Sequence, residues 1–408
     1  MQKYLRMSKT VIYRKQYLDK TIPFIDNELI KVFLGQRRVG KSFIMKMIAD
    51  YILKNNQRAN IIFIDKELYD YDFIKDYHSL IKYVEQETDS TQKNYLFIDE
   101  IQEIELFEKA LRHIQNKKLA DIYCTGSNAK ILSSELATFL SGRFIEIPVF
   151  SLSYVEFLEF NQFKESNQSL QKYLKWGSLP FIKNLQQEDA IIFDYLKNIS
   201  ATIIYKDIIN RYSIRNIDFF DNLILFIAAN TGNLITAKKI SDYLKSQKVN
   251  ISTKVVINYL TYLQNAFLIY KTNRVEVNSK KVFSINHKYF FEDWGLRNAL
   301  LGLHHYSLPD VLENVVFAHL QKLGYSVSVG VLKDLEIDFI AKKNGRKIYI
   351  QVAYLITSKK VKEREFGNLL LINDNYPKYV ISLDQYTIGD FKGVKHIHLH
   401  NFLLNDDF

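Results

Sequence analysis

The sequence predicts an α/β chain with four parts: a parallel-sheet core, a helical lid, a winged-helix domain and a C-terminal α/β domain shaped like a restriction nuclease. Three observations predict it. Apolar runs at about 30–34, 60–65, 95–99, 121–125 and 144–149 alternate with helix-periodic segments, as in a parallel sheet wrapped by helices. The stretch VFLGQRRVGKSFIMKMI, Val32 to Ile48, sets a strand, a glycine-bounded loop and an apolar-periodic helix in succession. Near the carboxyl end, EIDFIAKKNGRKIYIQVAY places Asn344-Gly345 between two alternating runs, the strongest short-range hairpin signal.

The first strand leads into the most informative loop. Gly35 to Ser42 fits G-x-x-x-x-G-K-[ST], with the strand before it and the helix after it that give the pattern meaning. The glycines let successive N–H groups turn inward as an anion nest, and the new helix adds its positive end. Lys41 would reach the β- and γ-phosphates of a nucleoside triphosphate, and the Ser42 hydroxyl would be a Mg²⁺ ligand. Gly35, Arg38, Gly40, Phe43 and, from a later strand, Asn128 complete the expected nucleotide contacts. The bland alternative is a chance strand-to-helix turn.

The third strand, in NYLFIDEIQEI, ends in Asp99 and Glu100. In a phosphate-loop ATPase such an Asp holds Mg²⁺ through water and the following Glu polarises the attacking water. The fourth, in DIYCTGSNAKIL, ends in Thr125-Gly126-Ser127-Asn128, at the carboxyl edge where open α/β sheets bind ligands. Ser127 or Asn128 would touch the γ-phosphate or the lytic water; a capping turn is the alternative. Before the fifth strand, LSGRFIEIPVF carries Arg143. As a catalytic arginine it would stabilise charge on the transferred phosphoryl group, in its own subunit or a neighbour's; as a lone Arg it would form a surface ion pair.

Composition bounds the class. The 408 residues suffice for two to four domains, and 47% hydrophobic with 25% charged content is ordinary for globular chains. No run approaches the roughly 18 apolar residues of a membrane span, and the N-terminal MQKYLRMSKTVIYRK does not read as a signal peptide. The single cysteine, Cys124, falls in a buried strand and reads as core filling; a cytoplasmic protein fits best. The net charge of +10 is compatible with nucleic-acid contact, but a Lys-, Asn- and Ile-rich chain reaches it without one.

Domain boundaries follow from changes of pattern. Residues 1–150 form the ATPase core. Residues 151–215 read as helical, capped at Ser151 or Ser153 and interrupted by WGSLPFI, and make the lid. Residues 216–290 give three helices and a hairpin around Asn278-Ser279, a winged helix, with Lys254, Asn258, Arg274, Lys280 and Lys281 as candidate DNA contacts. The alternative there is a plain packing module.

Residues 291–408 hold the nuclease-like region. A two-residue turn at Asn344-Gly345 pairs Lys343 with Arg346, so Asp338 faces Gln351 and Glu336 faces Ala353, all on one sheet face. With helix-borne Glu313, Asp338 and Gln351 form a candidate divalent-metal set. A lysine normally stands two residues after the last ligand; here that position is Ala353, with Lys359 or Lys360 as substitutes only if the chain folds back. Cleavage is therefore expected to be slow or absent. A buried cross-strand polar pair is the alternative for Asp338 and Gln351.

With these parts in order, the chain resembles the bacterial and archaeal family of AAA-type ATPases with a C-terminal domain of unknown function. GQRRVGKS, LFIDEIQ, TGSNAKIL, LSGRFIEI, LSYVEFLEF, GSLPFI, HKYFFEDWGLRNAL and EIDFIA…YIQVAY carry the resemblance along nearly the whole length. It implies ATP and Mg²⁺ as cofactors, with binding and hydrolysis at Lys41, Ser42, Asp99 and Glu100. The expected function is an ATPase whose cycle switches the C-terminal regions, with double-stranded DNA as target, no membrane partner and a homo-oligomer as a possible assembly. The rivals are a protein-binding regulatory switch without DNA contact and an ATP-dependent nuclease.

Overall fold

Five parallel strands, β1 (Ile30–Leu34), β2 (Asn60–Asp65), β3 (Asn94–Asp99), β4 (Asp121–Gly126) and β5 (Phe144–Pro148), lie in the order β2-β3-β4-β1-β5. The computed structural model describes residues 12–132, 142–246, 251–277, 279, 282–302, 308–385 and 388–408. Two units divide the chain: Met1–Phe150 with Asn265–Phe267, and Ser151–Gln264 with Leu268–Phe408.

In the first unit β1, β3 and β4 are apolar on both faces because helices cover both, while the edge strand β5 is only partly buried. Alternate residues Ile30, Val32 and Leu34 of β1 join Ile62, Ile64, Leu96 and Ile98 in one buried cluster. On the other face Phe63, Phe97 and Tyr123 stack, with ring centroids 5.8 and 4.5 Å apart. Cys124 is buried in β4, and burial pushes its thiol up to about 12, which suits a core residue. Because β1 lies between β4 and β5, the loop after β1 opens at a reversal of strand order, the usual ligand edge of such sheets.

The second unit begins with helices Tyr154–Asn161 and Asn167–Trp176, each opened by a serine capping box, Ser153 with Glu156 and Ser166 with Ser169. Gly177, at φ +75°, ends the second helix inside WGSLPFI. Helix Asp189–Thr202 runs on into a π-helical stretch, Ile203–Asn210. Helices Ile217–Ala229, Ala237–Ser246 and Thr253–Asn265 follow, then the hairpin β6 (Ile269–Glu276) and β7 (Val282–Phe291).

That hairpin does not stand alone. On its other side β6 pairs in parallel with β8 (Ser326–Leu332), Arg274 opposite Val329. With β9 (Leu335–Lys343), β10 (Arg346–Val352), β11 (Lys378–Ser382), β12 (Asp390–Phe391) and β13 (Val394–His398), it builds an eight-stranded sheet, order β12-β13-β11-β10-β9-β8-β6-β7. Pairing with β8 satisfies the second edge of β6, which a free wing would leave open. The sheet therefore runs through residue 290, which lies inside β7. Asn344 and Gly345, at φ +50° and +79°, make the two-residue turn, and Lys343 pairs with Arg346 as the dipeptide predicts.

HKYFFEDWGLRNAL is an anchor for the second unit. Asp293 accepts the Ser178 N–H at 2.7 Å and caps helix Trp294–Leu301 through the Leu296 N–H. Trp294 Nε1 donates to the Tyr173 carbonyl at 2.8 Å, and Arg297 Nε to the Ala228 carbonyl at 2.9 Å. A Cβ on Gly295 would stand 2.1 Å from the Trp176 carbonyl oxygen, so only glycine lets the two backbones meet.

Candidate nucleotide site

The loop between β1 and helix Lys41–Asn55 is built on close backbone approach. A Cβ at Gly35 would lie 2.0 Å from the Val149 carbonyl oxygen, and Gly40 caps the helix at φ +100°. Arg14 fastens the loop from outside: its guanidinium donates to the carbonyls of Val39 at 3.0 Å and Phe150 at 2.8 Å. Nothing in the local sequence marks Arg14 for that task; its partners come from distant segments.

Lys41 is buried, and its ammonium donates to the Gly35 and Gln36 carbonyls, each at 3.0 Å. Its nitrogen is also 3.9 Å from Glu100 Oε1. The lysine thus folds over the loop's own oxygens, at the place where phosphates would compete for it. The Gln36 side-chain amide is fully buried and has no hydrogen-bond partner among the described residues.

The carboxylates meet the loop from β3. The Ser42 hydroxyl hydrogen-bonds Asp99, so the two expected metal-holding groups adjoin. Burial raises the Asp99 carboxyl above its ordinary range, opposed by the bonds from Ser42 and Thr125. Thr125 joins both acidic residues: its hydroxyl donates to Asp99 Oδ1 and accepts the Glu100 N–H at 2.9 Å. Glu100 itself is left-handed, φ +53°. Its carboxylate accepts from Gln102 Nε2 and, at 2.9 Å, from the Ser127 hydroxyl. Burial alone would raise the Glu100 pKa, but the Lys41 and Arg37 charges with these bonds more than offset it, and the net shift is downward. Glu100 is thus held as a carboxylate.

The structure brings Gly35, Gly40, Lys41, Ser42, Asp99, Glu100 and Ser127 to one place, with buried Asn128 on the same turn. Phe43 is 64% exposed at the start of the helix, and Arg38 is exposed at φ +71°. Arg143 is elsewhere. Residue 144 of β5 pairs with residue 30 of β1, so Arg143 sits at the amino edge of the sheet, its guanidinium donating to Asn116 Oδ1 at 2.8 Å. The phosphate loop begins at the opposite edge, about 16 Å away at the usual strand rise. In a parallel sheet a residue just before a strand lies at the amino edge and one just after it at the carboxyl edge, so the place of Arg143 before β5 already sets it apart from the loop after β1. Thr125 stands in the TGSN motif at the ligand edge, but its bonds to Asp99 and Glu100 come from the pairing of β3 with β4; Gln102 reaches Glu100 from two residues away along the chain and Ser127 across that pairing.

Of the candidate DNA contacts, Lys254 and Asn258 are exposed on helix Thr253–Asn265. Arg274 is half-buried over the Phe283 ring, 5.3 Å from its centroid; Lys280 and Lys281 lie outside the described residues.

The tail residues also meet, around an unforeseen partner. Lys288 of β7 places its ammonium 2.8 Å from Glu313 Oε2, 2.9 Å from Glu336 Oε1 and 3.6 Å from Asp338 Oδ1. Gln351 Oε1 accepts the Asp338 N–H at 3.4 Å. The lysine is thus supplied by a strand earlier in the chain, where spacing from Gln351 has no bearing.

Residues 27–158 match a family described as an AAA domain, and residues 167–307 match a domain of unknown function. An uncharacterized protein of Haemophilus influenzae is 36% identical over 404 residues, covering 98% of this chain and all of the relative. The chain belongs to the AAA-type P-loop ATPases with a C-terminal domain of unknown function. An uncharacterized protein of Methanocaldococcus jannaschii is 31% identical over 362 residues, 85% of this chain and 79% of that one. Among solved structures, a Walker-type ATPase of Pyrococcus abyssi is similar at 15% identity and a TM-score of 0.49, over 71% of this chain and 96% of that one. Membership of this AAA-type family accounts for the five-stranded core and its loop. No helix among the described residues is long and apolar enough to cross a membrane.

Proposed function

We propose that this AAA-type chain binds and hydrolyses ATP with Mg²⁺, and that the cycle switches its C-terminal regions on double-stranded DNA. The observation that carries the ATPase reading is the hydrogen-bonded line Ser42–Asp99–Thr125–Glu100, which ties the loop to both acidic residues. Lys41 would exchange the Gly35 and Gln36 carbonyls for phosphate oxygens. Glu100, a carboxylate flanked by Ser127 and Gln102, would take the proton of the attacking water. Ser42 and Asp99, already adjacent, suit a hard cation, which would neutralise phosphate charge when bound.

Arg143 stands too far from its own loop for this chemistry, so a finger role is proposed only toward a neighbouring copy in a homo-oligomer. DNA as the target is supported by the net charge of +10 and by exposed Lys254 and Asn258. The half-buried Arg274 and the hairpin built into a larger sheet favour the second reading, a switch that binds protein partners. ATPase rate with and without double-stranded DNA, at low and moderate salt, separates them. DNA stimulation that weakens steeply with salt supports the first; a rate indifferent to DNA supports the second. Absence of ATP turnover that Glu100→Gln abolishes would refute both.

A further inference from the structure

The nuclease-like pocket of the second unit holds its own cation. A divalent ion in such a pocket would need Asp338, Glu313 and Gln351 to offer free oxygens, and the residues present do not fit it. Both Asp338 oxygens, the Gln351 amide oxygen and one oxygen each of Glu313 and Glu336 are committed. Asp338 Oδ2 accepts the Val352 N–H at 2.8 Å, and Oδ1 faces the Lys288 ammonium. The Gln351 amide oxygen accepts the Asp338 N–H. Glu313 Oε2 is paired with Lys288, as is Glu336 Oε1.

An ammonium has three N–H donors, and Lys288 has three carboxylates around it, within 2.8 to 3.6 Å. Its side chain is only 3% exposed. A Mg²⁺ or Mn²⁺ ion asks for about six oxygens at roughly 2.1 Å; here the centre of the oxygen set is filled by nitrogen. No group of His, Cys, Asp and Glu among the described residues is arranged to hold a metal. We propose that Lys288 stands in for the divalent cation of this pocket, as a tethered ammonium, so that the domain is closed to metal and does not cleave phosphodiesters.

The alternative use of the same lysine, as the missing basic group of a working nuclease centre, requires a metal bound beside it. That makes the two readings separable. The inference stands on the second unit alone and does not depend on ATP hydrolysis.

The test is Mn²⁺ binding to the full chain without nucleotide, read by electron paramagnetic resonance of free Mn²⁺. Tail binding is defined as the part that Asp338→Asn removes. The parent should show none up to about 1 mM, where even weak oxygen sites fill. Lys288→Met should gain about one Mn²⁺ per chain, lost again in Lys288→Met with Asp338→Asn, and its melting temperature should rise on adding Mn²⁺ while the parent's does not. Asp338-dependent Mn²⁺ binding by the parent, or Mn²⁺-dependent DNA cleavage that Asp338→Ala abolishes, would overturn the proposal whether or not Lys288→Met folds. A folded Lys288→Met that gains no ion would overturn it too.

Discussion

Thr125→Val isolates the joint between the two acidic residues. Valine keeps the shape of threonine but removes a hydroxyl that is buried, donates to Asp99 and accepts the Glu100 N–H at 2.9 Å. Losing the acceptor orphans a buried backbone N–H, at a cost of about 1–3 kcal/mol. Losing the donor removes a hydrogen bond to a carboxylate, worth about 1.5–3 kcal/mol. The two losses overlap, since Asp99 can reorient toward Ser42, so the first unit should lose about 3 kcal/mol. Turnover should fall about 10- to 100-fold, the usual effect of removing a group that orients a metal-holding or catalytic side chain. Thr125→Ser keeps the hydroxyl and loses one methyl, about 1 kcal/mol, and should hydrolyse ATP nearly as the parent does. Urea unfolding followed by far-ultraviolet circular dichroism and steady-state ATPase assays measure both effects. A Thr125→Val protein with parental stability and parental turnover would refute the argument. So would a Thr125→Ser protein as inactive as the valine variant.

Other expectations follow from the same geometry. Lys41→Ala should lose most ATP affinity, while Glu100→Gln should bind ATP and lose turnover; fluorescent-nucleotide titration beside the ATPase assay tells them apart. Arg143→Ala alone should keep ATP affinity and lower turnover by about 10³-fold if the arginine serves a neighbour, and mixing it with Lys41→Ala should restore part of the activity. No loss of turnover would leave Arg143 a surface partner of Asn116. His319, buried with its ring against Phe402 and Nε2 3.1 Å from the Asn405 carbonyl, has its pKa pushed by burial from 6.5 down to about 4. Its folded pKa lies below the unfolded one, so its contribution is whole above pH 6.5 and is lost as pH falls toward 4. The second unit should lose about 1 kcal/mol by pH 5.5, and His319→Gln should flatten that slope in urea titrations.

Local chemistry wrote much of the fold into the sequence. Asn344-Gly345 fixes its hairpin register because the dipeptide suits the type I′ turn, which takes φ > 0 at both positions, and the observed pairing of Lys343 with Arg346 is the one it dictates. Gly35 to Ser42 is similarly self-contained: strand, turn and helix start are neighbours in the chain. The apolar runs of β1, β3 and β4 needed no partner to be recognised, since burial on both faces leaves its mark in each strand separately. What tertiary structure alone decided are meetings between distant segments. Strand order carried Thr125 of β4 to Asp99 and Glu100. The sheet that absorbs β6 and β7 delivered Lys288 into a ring of carboxylates, while the sequence pattern called for a lysine at Ala353. Spacing along a chain reports neighbours within a turn or a hairpin; which strands lie side by side, and which side chains then share a pocket, depends on burying the whole core at once.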